Sequence, residues 1–149
     1  MKLLLTSFAM FILFPTLAQE GSVMEKRARE LHRVISLDDK QQWIKFIKEN
    51  FTQSLIDKQQ TRKVQANEDG KVSTSKEELK EADKLEAKAK MFSMLHQDFG
   101  GSKIISIKSS NENLDMVLNN GDGLIGKFTL RFEKINPYRI DGLGIEAGN

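Results

Sequence analysis

Between residues 85 and 143 the apolar positions change period. Leu85, Ala89, Phe92 and Leu95 recur every three or four residues, which places them on one face of a helix. Asp98-Phe99-Gly100-Gly101 ends that run, and Gly100 or Gly101 is the expected left-handed cap. The spacing then falls to two. Ile105 and Ile107 share one parity, as do Leu114, Met116 and Leu118. Leu124, Gly126, Phe128, Leu130 and Phe132 alternate with Lys127, Thr129, Arg131 and Glu133, the pattern of a strand with one buried and one wet face. Asn119-Asn120-Gly121-Asp122-Gly123 joins it to the strand before, through residues that tolerate positive φ. Pro137 interrupts pairing, so a last strand is expected from about Tyr138. Ile140 and Leu143 have opposite parity within it, and Gly142 between them marks a bulge that resets the faces.

Upstream the pattern is helical. Leu31, Val34 and Ile35 make the apolar face of a short helix over residues 25–35, preceded by a polar, flexible stretch at 19–24. Ser36 is the expected cap of a second helix over about 38–58, with Asp39 at its third position. Trp43, Phe46, Ile47, Phe51 and Leu55 form its stripe. Residues 59–74 are polar with Glu68-Asp69-Gly70 as a turn, which predicts a mobile loop. Ser75 caps a third helix, whose first two turns read as exposed and whose last three pack on the sheet. The class is α+β: about three helices followed by an antiparallel sheet of about four strands.

The first residues change the picture. Lys2 is followed by Leu3-Leu4-Leu5, a nearly uninterrupted apolar run over residues 8–14, and then Thr16-Leu17-Ala18, with small residues where a signal peptidase reads. This predicts a secretory signal peptide at 1–18 and a single mature domain at 19–149. The run falls short of the ~18–20 residues of a membrane span, so no stable anchor is expected after cleavage. The expectation is an exported protein, periplasmic or secreted and soluble. The chain has no cysteine, which removes disulfides, thiol chemistry and lipidation at a cysteine. Its formal net charge is +2, with both signs interleaved and no basic stripe of the kind a nucleic acid needs.

No catalytic constellation stands out. Ser73-Thr74-Ser75-Lys76 fits the Ser-x-x-Lys pattern of penicillin-binding proteins, but it sits at a polar helix cap and no Lys-Thr-Gly follows. His96 and Asp98 are a His–acid pair close in sequence, yet residues two apart on a helix do not face each other. His96 reads as a polar residue at a helix end, and His32 lies far away in sequence. Two histidines and no cysteine make no metal site, no acid cluster has calcium-loop spacing, and no cofactor is expected. Gly121-Asp122-Gly123 and Gly142-Leu143-Gly144 open no helix and so cradle no phosphate. Asn50-Phe51-Thr52 matches a glycosylation acceptor inside a predicted helix. The aromatic and Met set reads as core. The sharper reading is a pocket at the wide end of a curved sheet, lined by Trp43, His96 and Tyr138, each with a polar tip on an apolar body.

The helix around residues 92–95, Asp98-Phe99-Gly100-Gly101, and Pro137-Tyr138-Arg139-Ile140-Asp141-Gly142-Leu143 together carry a resemblance. Their order resembles the small α+β module that precedes the catalytic domain in many exported bacterial serine hydrolases of the β-lactamase-like class and in some tail-specific proteases. That module looks like the nuclear-transport-factor-2/cystatin-like cone, helices on a curved antiparallel sheet. The resemblance covers about residues 36–146. The chain ends at Asn149, where such relatives enter the hydrolase, so it implies no catalytic residue here. It implies instead an accessory or binding module for a protein, a peptide or a small apolar ligand, with a homodimer through a sheet face as one form. Two alternatives stand beside it: a small cone-fold isomerase or dehydratase using His96 or Asp98 as base, and an envelope interaction or inhibitor protein.

Overall fold

A computed structural model describes residues 16–58 and 80–148. Four helices, α1 (Thr16–Ile35), α2 (Lys40–Asn50), α3 (Gln53–Asp57) and α4 (Glu81–Phe99), precede four strands. The strands β1 (Lys103–Ser110), β2 (Asn113–Asn119), β3 (Ile125–Phe132) and β4 (Ile140–Gly148) pair antiparallel in the order β1-β2-β3-β4. The sheet contacts the helices and is uncurled, so the α+β architecture is as read but the strong curvature is not. Strands of seven to nine residues with just two irregularities of register, both in edge pairs, give the sheet little reason to bend. The 1–15 part of the expected signal peptide, the 59–74 loop, the Ser73–Lys76 motif and the Ser75 cap lie outside the described residues.

The first helix is longer than its apolar stripe predicted. It runs back to Thr16, across the stretch expected to be flexible, because Met24 and Ala28 extend the stripe of Leu31 and Ile35 and are buried with it. Its end holds the next start. Ser36 is not the cap of α2: its hydroxyl donates back to the His32 carbonyl at 3.0 Å. Asp39, in extended backbone, caps α2 by accepting from the amides of Gln41 and Gln42.

The second predicted helix is broken in two. Phe51 leaves helical backbone and forms a parallel bridge to Ile140, and the Thr52 amide donates to the Ile140 carbonyl at 2.9 Å. Thr52 then caps α3 by accepting from the Leu55 amide. The acceptor-like Asn50-Phe51-Thr52 therefore lies at a joint, with the Asn50 amide donating to the Phe46 carbonyl. The joint is locked by Asp141, whose carboxylate accepts from the Thr52 hydroxyl at 3.0 Å and pairs with Arg131 at 2.9 Å. The Thr52 hydrogen bond, and after it Arg131, hold the Asp141 carboxyl below the ordinary value of 3.8. A depressed carboxylate stabilises the fold above its ordinary value and loses that contribution as pH falls through the folded one. Asp141→Asn should cost about 1 kcal/mol at pH 7. In urea titrations the gap to the parent should close below pH ~3.8; a gap that stays constant down to pH 2 would contradict the assignment.

The alternating positions of β2 and β3 face the helices. Leu114, Met116 and Leu118, and opposite them Gly126, Phe128 and Leu130, are buried against the helices. The Asn119–Gly123 turn has Gly121 and Gly123 at φ 89° and 98°, and the Asn119 and Asn120 side chains accept from the Gly121 and Asp122 amides. The bulge read at Gly142 is present: Arg131 pairs with Gly142 and Phe132 with Ile140, so Asp141 is the extra residue and both Ile140 and Leu143 reach the core. In β1 a second bulge, between Ile104 and Ser106, turns Ile105 outward (56% exposed) and puts Ile104 with Ile107 on the helix side. The aromatic set is core. Phe46, Phe51 and Phe92 meet with ring centroids 6.0–6.1 Å apart, and Phe99 stands edge-on to Phe128 at 5.2 Å.

Candidate functional site

Trp43 is fixed from both sides of its ring. Its stripe position on α2 buries the body, and Nε1 donates to the carbonyls of Val34 (3.0 Å) and Leu37 (2.9 Å). The indole nitrogen is thus committed to the α1–α2 link. What remains of Trp43 forms part of a groove between α2 and α4, about 330 Å³, lined by Lys40, Trp43, Glu86, Ala87, Ala89, Lys90 and Ser93. This lies at the lower end of the volumes that hold small ligands, ~300–1,000 Å³. The floor is the indole and two alanines; across the mouth Lys40 and Glu86 pair at 2.5 Å. Both partners are more than half exposed, so the pair contributes little to stability.

His96 lies next to Trp43, ring centroids 6.2 Å apart. Its Nδ1 is 2.9 Å from the Ile35 carbonyl; a carbonyl only accepts, so Nδ1 carries the proton and donates. The imidazole therefore ties α4 to the end of α1. It also bears on the first glycine of the pair. Gly100 has right-handed backbone (φ −59°, ψ −33°), not the left-handed cap expected, and positive φ is found at neither Gly100 nor Gly101. A Cβ at Gly100 would lie 2.6 Å from the His96 carbonyl oxygen and 2.7 Å from its Nδ1, so this glycine makes room for the backbone and the ring together, while one at Gly101 would meet nothing. Asp98 is exposed, and its carbonyl accepts from the Asn120 amide at 3.3 Å. The two members of the His–acid pair have separate partners. His32 binds elsewhere, its Nε2 3.0 Å from the Ser102 carbonyl.

Tyr138 lies on the β3–β4 connection, half-buried against the core with φ 55°. Its neighbour Pro137 offers its carbonyl to Arg27 Nη2 at 2.7 Å, and Arg27 Nη1 donates to Asn50 Oδ1. Burial, and then the nearby Arg139, lower the Arg27 pKa, and its Nε is buried without a partner. Trp43 and His96 are brought together; Tyr138 belongs to this other junction, of α1, the end of α2 and the β3–β4 turn.

A third polar junction closes the end of α3. Lys88, 6% exposed, donates to the Lys58 carbonyl at 2.8 Å, and Lys84 pairs with Asp57 at 2.9 Å. Burial, and then the charge of Lys58, push the Lys88 ammonium below its ordinary pKa. Among the described residues no three His, Asp or Glu side chains converge as a metal ion would require, and no helix is long and apolar enough to cross a membrane.

The groove was only partly legible. The sequence points to Trp43 by its polar tip on an apolar body, a tip that the structure turns to the α1–α2 link, and it does not point to Lys40, Glu86, Ala87, Ala89, Lys90 or Ser93. The available signal was small residues on α4 alternating with charge, which says nothing of which helix they face. Comparison with protein-family models, with curated proteins and with solved structures finds no match for this chain.

Proposed function

We propose that this chain is an exported, non-catalytic α+β binding module, which takes an apolar side chain of a peptide, or a small apolar ligand, in the α2–α4 groove. The observation that carries the reading is the apolar floor of that groove, Trp43 with Ala87 and Ala89, under a charged rim. Such a site, apolar below with a few polar groups at the mouth, recognises a ligand with an apolar body and a polar end. Export is supported by the signal-like start of the sequence. Binding is favoured over acid–base catalysis by His96 or Asp98 because neither side chain lines the groove, and Asp98 is exposed.

The test uses Trp43, the one tryptophan of the chain, as its reporter. Short peptides bearing one bulky apolar residue, and small apolar ligands, should shift its fluorescence saturably. Ala87→Arg, at an exposed helix position, should weaken binding at least tenfold with the melting temperature unchanged. No saturable shift with any ligand, or equal binding by the variant, would reject the groove.

A further inference from the structure

The two edges of the sheet are built differently. β1 carries the bulge at Ile104/Ser106 and two exposed lysines, Lys103 and Lys108, features that keep an edge strand from pairing with another chain. β4 is the other edge. At its start Phe51 and Thr52 occupy the outer side of Ile140. From there to Gly148 its register with β3 is regular, from Gly142↔Arg131 to Gly148↔Ile125, with no bulge, no proline and no positive charge. Among the described residues no strand pairs with the outer side of residues 142–148. The midpoint of that stretch is Ile145, which pairs with the buried Phe128 and so points to the helix side of the sheet, yet is 36% exposed. The helix layer ends before it.

We propose that the protein forms a two-fold dimer by antiparallel pairing of β4 with β4 of a second copy, centred on Ile145. This register is the one that fits between the Phe51–Thr52 block and the end of the strand. A centre at Gly144 would set Gly148 against Ile140 of the second copy, whose edge is already occupied, and a centre at Glu146 would set two carboxylates face to face. With Ile145 at the axis, the strand is complementary to itself. On the helix side Ile145 meets its own counterpart and Leu143 meets Ala147 of the second copy. On the other side the single charge of the stretch, Glu146, meets Gly144, which has no side chain to oppose it, and Gly142 meets Gly148. The two sheets become one of eight strands, and the unpaired backbone groups of both edges are satisfied. Seven residues a side is well under the roughly 20–30 of a standard interface, so the dimer dissociates on dilution.

The absence of cysteine makes the test clean. The purified protein should sediment with a concentration-dependent mass that approaches twice the monomer. Under mild oxidation Ile145→Cys should form a disulfide-linked dimer at least tenfold faster than Glu146→Cys or Ile105→Cys, the latter a more accessible residue on the opposite edge. Ile145→Lys and Ile145→Glu should each be monomeric with unchanged circular dichroism, and a mixture of the two should dimerise. Monomer at every concentration, or cross-linking at Ile105→Cys as fast as at Ile145→Cys, would overturn the proposal; the first result would leave the edge to an extended segment of another protein.

Discussion

Phe92→Ala is expected to lower the unfolding free energy by about 3–5 kcal/mol, the cost of emptying a large aromatic site in a packed core. Phe92 is fully buried on α4 and its ring touches both Phe46 of α2 and Phe51 of the α2–α3 joint. Phe92 lies on a different helix from the other two rings, so local backbone adjustment of α4 cannot close the void. A domain of this size has roughly 5–15 kcal/mol in total, and its melting temperature should fall by about 10 °C or more. Met94→Ala, two residues away on the exposed side of α4, should stay within about 0.5 kcal/mol and serves as the control. The same loss should reach the groove. Phe92 supports the face of α2 that carries Trp43, so ligand-induced fluorescence changes should weaken even where Phe92→Ala remains folded. Chemical denaturation of both variants decides it: a cost for Phe92→Ala near that of Met94→Ala would mean that the helix layer is not packed as described.

Gly126→Val should be nearly as damaging, for the opposite reason. A Cβ at this position would lie 2.5 Å from Phe99 Cζ and 2.6 Å from Cε1, with Phe128 Cε2 at 3.0 Å. Phe99 lies across the bare backbone of β3 and stands edge-on to Phe128, which is how the end of α4 is seated on the sheet. A side chain at 126 must expel that ring. Overpacking of this kind costs about 1–3 kcal/mol and occasionally more. The φ of Gly126 is not positive, so the backbone itself would accept valine, and the whole effect runs through Phe99. A double-mutant cycle separates the two causes. Phe99→Ala should be costly alone, but Gly126→Val added to it should cost little or even stabilise. Additive losses would show that Gly126 is required for its backbone and not for the space it leaves.

These two sites differ in how much of them could be read in advance. Phe92 was legible because a helix repeats every 3.6 residues and its burial follows from position on one stripe. Gly126 was legible only as a member of an alternation. That a glycine there makes room for a phenylalanine 27 positions earlier depends on where α4 ends relative to the sheet. The same division holds at the candidate site. Trp43 stands out in the sequence as a polar tip on an apolar body, whereas Ala87, Ala89 and Glu86 opposite it belong to α4, and Glu86 is 46 residues from Lys40, its partner on α2.

Local periodicity, turn chemistry and composition determined the α+β class, the order of helices before strands, most of the buried positions, the Asn119–Gly123 turn and the bulge beside Gly142. Each of these rests on interactions within a few residues or on a strand's own alternation, which the order of residues carries directly. Tertiary structure alone decided the break of the second helix at Phe51, the outward turn of Ile105, the uncurled form of the sheet and the open edge of β4. The deciding partner is remote in the chain or absent from it: Ile140 competes for the backbone of Phe51 and Thr52, and the reach of the helix layer sets which strand is left uncovered. A backbone group or a side chain bonds to whatever the fold brings within reach, and that neighbour is not written beside it in the sequence.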